Sequence, residues 1–199
     1  MAKRIILAST SPFRKKLLED SGFSFTTLAP ESDEKTISGL PPRELASRRA
    51  EFKALDVARR APTGSIVIGA DQVLGMNGKS YDKAETASEA TARILEFQGK
   101  THELYSAYML VLVNKSGSIE VLENTVVTIP MTMKALSADE ARAYVATAEW
   151  QGCVGCYRIE GAGRDLFAAI GADISSIIGL PMAELSASLN KIQSRHHPE

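Results

Sequence analysis

Five short segments of the chain combine charged or hydroxyl side chains with positions at turns and helix starts. The first, residues 9–15 (S-T-S-P-F-R-K), places small hydroxyl residues before a predicted helix that has two cations in its first turn. The start of a helix offers free backbone N–H groups and a positive dipole end, and both attract phosphate oxygens. The same pattern also describes an ordinary N-capped helix, so phosphate binding and capping are both open.

The most specific of the five segments places a carboxylate directly after an apolar strand. Residues 65–70 (S-I-V-I-G-A) predict a buried strand leading into Asp71. We expect Asp71 at the carboxyl end of that strand, where open α/β sheets bind ligands. A carboxylate in such a place is costly unless it meets a cation or a reacting group. A catalytic role and a buried salt bridge to a structural lysine are therefore both open for Asp71.

The other three segments supply further acids and amines. Asp33 and Glu34 lie in a polar loop, Lys53 lies on a long predicted helix, and Lys83 follows in a later turn. Taken singly, each is an ordinary solvated charge as readily as a ligand-binding group. Whether they form a site depends on the strands and helices that bring them together.

Predicted strands and helices alternate around these segments. Apolar runs predict strands at 4–9, 25–28, 65–70, 102–114 and 119–133, with a hairpin at 73–79 and an interrupted strand pattern at 152–163. Proline, glycine and capping patterns predict helices at 13–21, 41–60, 86–98, 137–147 and 181–192. We therefore predict an α/β fold, a mixed sheet flanked by helices and bent into two lobes with a cleft between them. Residues 1–199 form one predicted domain, with a frayed tail at 193–199.

Bulk properties exclude several classes of protein. The 199 residues are 44% hydrophobic and 24% charged, as in soluble globular domains. A net charge of -1 disfavours binding of polymeric nucleic acid, which requires a strongly basic face. Apolar runs such as Tyr108 to Val113 fall far short of the ~20 residues that span a bilayer. The apolar stretch near the start is too short for a secretory signal, so we expect a cytoplasmic protein without a membrane helix.

Two cysteines, Cys153 and Cys156, are spaced C-x-x-C. A structural zinc site needs four ligands, and the three histidines, His102, His196 and His197, do not supply a suitably spaced pair. We expect two buried small residues instead of a metal or redox site. The low cysteine content also fits a reducing compartment.

Taken in order, these segments resemble the Maf family of nucleotide pyrophosphatases. The matching patterns are S-x-S-P-x-R at 9–14, an acidic pair at 33–34, an E-K-A-like segment at 52–54, G-[AS]-D-[TQ] at 69–72, the lysine at 83, and a V-G-L-P-like segment at 178–181. Together they span residues 4 to about 190. Six patterns in one order arise by chance far more rarely than any one of them. One departure is Ala84, where the family has proline.

The resemblance implies a fold like that of Maf and ITPase proteins, and hydrolysis of a nucleoside triphosphate between its α- and β-phosphates. It further implies a divalent metal, Mg²⁺ or Mn²⁺, and a homodimer. Asp71 would be the proton acceptor, and Glu34 would hold the metal together with Asp71. The implied phosphate-binding residues are Ser9, Arg14, Lys53 and Lys83.

Three positions are similar to the branch of the family that acts on 7-methyl-GTP. These are Phe13, Gln72 and Glu160. An aromatic face can stack on a cationic methylated purine, and a carboxylate can accept hydrogen bonds from guanine. Phe13 is also a candidate core residue. Two other functions stay open: hydrolysis of dTTP or UTP, and regulation of septum formation by binding a partner.

Overall fold

The structure, a computed structural model, describes residues 3–194. Its strands are β1 (Ile5–Ala8), β2 (Phe25–Thr27), β3 (Ile66–Met76), β4 (Lys79–Tyr81), β5 (Thr101–Val113), β6 (Ile119–Met133) and β7 (Phe167–Ile170). Its α-helices are α1 (Pro12–Asp20), α2 (Pro42–Ala58), α3 (Ala87–Phe97), α4 (Ala138–Ala146), α5 (Ile174–Ile178) and α6 (Met182–Ser194). Short 3-10 helices cover Glu34–Thr36 and Ala162–Leu166. Every helix among residues 3–194 is too short or too polar to span a bilayer.

The strands form one mixed sheet in the order β2-β1-β3-β5-β6-β7, with β4 paired to β3. Strand β1 is parallel to β2 and β3, whereas the pairs from β3 through β7 are antiparallel. Residues 66–75 of β3 pair with β5 along one edge. On the other edge, 66–69 pair with β1 and 74–76 pair with β4. Residues 70–73 therefore face a gap between β1 and β4, and Asp71 lies in this gap.

Separate hydrophobic cores form on the two sides of the gap. On one side, alternate residues of β1 pack on opposite faces of the sheet, one face against α1 and α6 and the other against α2. Burial of both faces explains why β1 is apolar throughout. On the other side, the end of β3 and β4 pack against α3 and α4. The predicted α/β fold with a mixed sheet and two lobes is confirmed.

Helix α2 lies directly on β3 at Gly69. A Cβ atom on Gly69 would lie 2.2 Å from the carbonyl oxygen of Ala50 and 2.5 Å from the backbone nitrogen of Ala54. Only glycine permits so close an approach of helix and strand. This contact carries Lys53 on α2 to within reach of Asp71 on β3.

Several predictions from the sequence need correction. Asp71 does not end a strand, because β3 continues past it to Met76 and stays paired with β5. The predicted hairpin does form at Asn77 and Gly78, whose φ angles of 53° and 77° suit a tight turn. Residues 152–161 form turns and 162–163 begin a 3-10 helix, so the predicted interrupted strand is wrong; β7 and α5 were not predicted. Of the predicted frayed tail, 193–194 belong to α6, and 195–199 lie outside the described residues.

Candidate active site

A cavity of about 640 Å³ lies at the gap between the two lobes. A second cavity of about 510 Å³ adjoins it at the start of α1, and several residues line both. The predicted site residues that line the larger cavity are Phe13, Arg14, Glu34, Lys53, Asp71, Gln72, Lys83 and Glu160. Ser9 lines the smaller one. The structure thus brings together all nine residues that the sequence predicted.

The centre of the site is an ammonium group shared by two carboxylates. Lys53 Nζ lies 2.7 Å from Asp71 Oδ1 and 2.8 Å from Glu34 Oε1. The side chains of Lys53 and Asp71 are 6% and 8% exposed, whereas that of Glu34 is 35% exposed. Such a buried charge is tolerated only when it is paired, and each partner here compensates the other.

One carboxylate oxygen of Asp71 takes no part in the contact with Lys53. Asp71 Oδ2 is buried and has no hydrogen-bond partner among the described residues. Buried polar atoms are nearly always hydrogen-bonded, so an exception calls for an explanation in terms of function. The salt bridge to Lys53 that the sequence left open is present, and a free acceptor remains beside it.

Arg14 contributes a second cation on the opposite wall. Its Nε donates to the carbonyl oxygen of Gly179 at 2.9 Å, and its Nη1 donates to Ser9 Oγ at 3.5 Å. Burial lowers the pKa of Arg14, and the nearby charges of Asp71 and Glu34 oppose this shift. The guanidinium therefore faces the acidic centre of the cleft.

The hydroxyl residues before α1 act as a cap. Ser11 accepts a hydrogen bond from the backbone N–H of Arg14 at 3.5 Å, and Ser9 accepts one from the N–H of Ser11 at 3.2 Å. The capping interpretation of this segment is therefore correct locally. Within residues 3–194, the first turn leaves one N–H group, that of Phe13, for an anion in the adjoining smaller cavity, because Pro12 has none and the next two are bonded to Ser11.

The loop that carries Glu34 is held in place by Asp56 on α2. Asp56 accepts hydrogen bonds from Ser32 Oγ at 2.6 Å, from the N–H of Glu31 at 2.9 Å and from Arg60 Nη2 at 3.0 Å. The bond from Ser32 is the main cause of a lowered pKa at Asp56. Glu34 is thus held over Lys53 by an anchored loop and is not simply a solvated acid.

The far end of the cleft combines an aromatic ring, a cation and an acid. The guanidinium carbon of Arg158 lies 5.4 Å from the centre of the Phe13 ring, and its Nε lies 3.8 Å from Glu160 Oε1. Phe13 is half-buried and lines both cavities, and it lies outside the main hydrophobic cores. The core interpretation of Phe13 is therefore disfavoured.

Gln72 and Lys83 differ in how firmly they are held. Both amide hydrogens of Gln72 are used, in bonds to the carbonyl oxygens of Ser176 and Ile177 at 2.8 and 3.0 Å. Only its side-chain oxygen is left for a ligand. Lys83 is exposed and has no hydrogen bond or salt bridge to another residue within 3–194. Its ammonium is therefore available to an anion in the cleft.

Two arginines in the cleft were missed as site residues. Arg49 lies one helical turn before Lys53 on α2, and Arg158 lies two residues before Glu160. The i, i+4 spacing to Lys53 was the available signal for Arg49. No pattern in the sequence indicated Arg158, because residues 152–160 have no regular structure.

Within residues 3–194, the two cysteines are not grouped with enough His, Cys, Asp or Glu side chains to hold a metal ion. Both thiols are free. Cys156 is buried as expected, whereas Cys153 is only partly buried, which corrects the expectation of two buried cysteines. Desolvation raises the pKa of Cys153 to about 11. A thiol with a raised pKa is a poor nucleophile and metal ligand. Among residues 3–194, no group of three or more His, Cys, Asp or Glu side chains could hold a metal ion. A metal bound at Glu34 and Asp71 would need further ligands from elsewhere.

The protein has an α/β fold with a cleft between its two lobes. Acidic and basic side chains are paired in this cleft, around a cavity of the size of a small molecule. A family model described as Maf-like protein matches residues 4–192. The chain belongs to this family, which confirms the resemblance drawn from the sequence.

Relatives of known name cover nearly the whole chain. A 7-methyl-GTP pyrophosphatase of Brucella suis biovar 1 (strain 1330) is 35% identical, covering 96% of this chain and 97% of its own length. A nucleoside triphosphate pyrophosphatase of Rhodopseudomonas palustris (strain BisB18) is 38% identical, covering 91% and 90%. Among solved structures, a nucleoside-triphosphatase / dITP/XTP pyrophosphatase from Mycobacterium abscessus ATCC 19977 / DSM 44196 aligns over 98% of this chain and all of its own, with 14% identity and a TM-score of 0.43.

Proposed function

We propose that the protein is a nucleoside triphosphate pyrophosphatase that hydrolyses 7-methyl-GTP to 7-methyl-GMP and pyrophosphate. Membership of the Maf-like family and the names of its relatives support the pyrophosphatase activity. The choice of substrate rests on one observation, the arrangement of Phe13, Arg158 and Glu160.

In this arrangement a planar cation is held between an aromatic face and a carboxylate. The guanidinium of Arg158 is flat, positively charged and rich in N–H donors. The 7-methylguanine base is also flat and positively charged, and it presents N–H donors on one edge. The base replaces the guanidinium over Phe13, and its N1–H and exocyclic amine donate to Glu160. Because the side chain of Arg158 is 46% exposed, it has room to withdraw towards solvent.

The other end of the cleft suits the triphosphate. Arg14, Lys53 and Lys83 approach the cavity from three different segments and offset the charge of the phosphates. Arg14 offers a planar fork to phosphate oxygens, whereas the lysines act as point charges. Contact of a phosphate with Lys53 also loosens its bond to Asp71 Oδ1.

Asp71 then activates the water. It accepts a proton from the water as the water oxygen bonds to the α-phosphorus, and the bond from that phosphorus to the bridging oxygen breaks. The electron pair of the broken bond leaves with the pyrophosphate. The water oxygen ends on the monophosphate.

Glu34 and Asp71 would also hold a divalent metal. Both offer hard oxygen ligands, and Asp71 Oδ2 is the unpartnered atom expected of a ligand without its cation. Two carboxylates suffice for Mg²⁺, which retains several waters and takes further oxygens from substrate phosphates. When bound, Mg²⁺ or Mn²⁺ would offset negative charge on the phosphates.

The test is pyrophosphate release from a panel of 7-methyl-GTP, GTP, UTP and dTTP, each with Mg²⁺, with Mn²⁺ and with EDTA. We expect the highest kcat/KM for 7-methyl-GTP, and no pyrophosphate release in EDTA. Preference for UTP or dTTP would contradict the base assignment and favour the pyrimidine alternative. Release of orthophosphate without pyrophosphate would contradict the reaction itself, and activity in EDTA would exclude the metal.

A further inference from the structure

Arg49 is a partly buried cation of the cleft that the reaction described above does not use. It lies on α2 one turn before Lys53, and residues four apart on a helix share one face. Its side chain is only 12% exposed, and it lines the larger cavity together with Lys53 and Asp71. A second cation therefore extends the charged wall of α2 beyond the acidic centre.

The guanidinium of Arg49 is incompletely satisfied. One of its terminal nitrogens, Nη2, donates to the carbonyl oxygen of Ile37 at 3.2 Å. The other, Nη1, lies 3.6 Å from Asp82 Oδ1, beyond normal hydrogen-bond length, and the Asp82 side chain is 82% exposed. Its Nε is buried and has no partner among residues 3–194. A partly buried guanidinium with one unpaired N–H and one long contact to a carboxylate lacks hydrogen-bond acceptors, and a ligand can supply them.

We infer that Arg49 binds the oxygens of the departing pyrophosphate, taking the place of its contact with Asp82. This inference rests on the proposed function, because it assigns one end of the same cleft to the leaving group. Negative charge grows on the pyrophosphate as the bond to the α-phosphorus breaks, and a fixed cation beside it stabilises that charge. The planar fork of an arginine matches two phosphate oxygens at once.

The position of Arg49 agrees with this role. Lys53 is bound to the two acids at the reacting centre, so the next cation along the same helix face lies to one side of it. Lys83, which is exposed, follows Asp82 in the chain and lines the same cavity. Arg49 and Lys83 thus line one cavity, in which the inference places a phosphate group. Asp82 holds Arg49 weakly until that group arrives.

The test measures binding of inorganic pyrophosphate and of 7-methyl-GMP by calorimetry, without turnover. The variant is Arg49→Met, and its control is Arg48→Met. Arg48 is the preceding residue of the same helix, is 57% exposed and pairs with Glu51 at 2.9 Å on the outer surface. We expect Arg49→Met to weaken pyrophosphate binding by about 10- to 100-fold, the loss of one or two charge-assisted hydrogen bonds. Binding of 7-methyl-GMP should change less than about twofold, and Arg48→Met should change neither ligand by more than this.

A second variant covers the case in which Arg49→Met does not fold. Asp82→Asn removes the carboxylate that competes for Arg49, at an exposed position, and we expect it to tighten pyrophosphate binding several-fold. Equal pyrophosphate binding by wild type and Arg49→Met, or equal losses for both ligands, would overturn the inference. Unchanged pyrophosphate binding in Asp82→Asn would overturn it as well. Failure of the wild-type protein to release pyrophosphate from any triphosphate would instead contradict the proposed function.

Discussion

The charge cluster at the centre of the cleft predicts a large loss of stability when Lys53 is removed. In Lys53→Met, Asp71 loses its counter-charge at a site where its side chain is 8% exposed, and within residues 3–194 its carboxylate loses its one hydrogen bond, because Oδ2 has no partner. Breaking one side of a buried ion pair costs about 3–5 kcal/mol. Glu34, which is 35% exposed, can be rehydrated and should add little to this loss.

Urea unfolding at pH 7 measures the effect, with two comparisons. The double variant Lys53→Met/Asp71→Asn removes both charges and should regain most of the lost free energy of unfolding. Lys16→Met breaks an exposed ion pair with Asp20 and should leave the urea midpoint nearly unchanged. A loss below about 1 kcal/mol in Lys53→Met, as for a surface pair, would refute the assignment of a buried pair. So would a double variant no more stable than Lys53→Met.

Three further predictions concern other parts of the fold. Burial lowers the pKa of His102 from 6.5 to about 4. As pH falls, His102 is protonated in the unfolded chain before it is protonated in the folded protein. The free energy of unfolding therefore falls by about 3 kcal/mol as pH drops from about 6.5 to about 4. His102→Gln should remove this part of the loss in urea unfolding measured across pH, and an unchanged slope would contradict it. Gly69→Ala places a Cβ 2.2 Å from the Ala50 carbonyl oxygen and should lower Tm by about 2 to 12 °C, so an unchanged Tm would disprove the close packing. Arg158→Ala frees the face of Phe13 and should lower KM for 7-methyl-GTP without lowering kcat, whereas a raised KM would mean that Arg158 itself binds the substrate.

Much of the fold follows from local patterns in the sequence. The apolar run of β1 predicted a strand because both of its faces are buried. The capping boxes at Thr86 and Ser137 formed as predicted, since each depends on residues only three apart. The Asn77-Gly78 turn likewise depends on the φ angles of its own two residues.

Predictions failed where distant partners decide the structure. The continuation of β3 past Asp71 depends on pairing with β5, about thirty residues later, which no local pattern reveals. Strand β7 is a four-residue edge strand that forms by pairing with the end of β6. The irregular segment 152–161 contains apolar residues that pack into the core around α3 and α4. Their spacing in the sequence resembles an interrupted strand.

The sequence predicted which residues form the candidate site, but not how their side chains contact each other. The order of the segments indicated Asp71, Glu34 and Lys53, yet only the structure joins them through one ammonium group. The hydrogen bonds that fix Gln72 to α5 could not be foreseen, because α5 itself was not predicted. Arg49 was overlooked because arginine on a helix is most often a surface residue.

The most direct test of the central claim is pyrophosphate release from 7-methyl-GTP by Asp71→Asn. The claim is that the carboxylate in the gap of β3 accepts the proton of the attacking water. We expect turnover to fall by on the order of 10²-fold or more, while circular dichroism shows a folded protein and binding of the triphosphate persists. Turnover within a few-fold of wild type in a folded Asp71→Asn protein would contradict the claim.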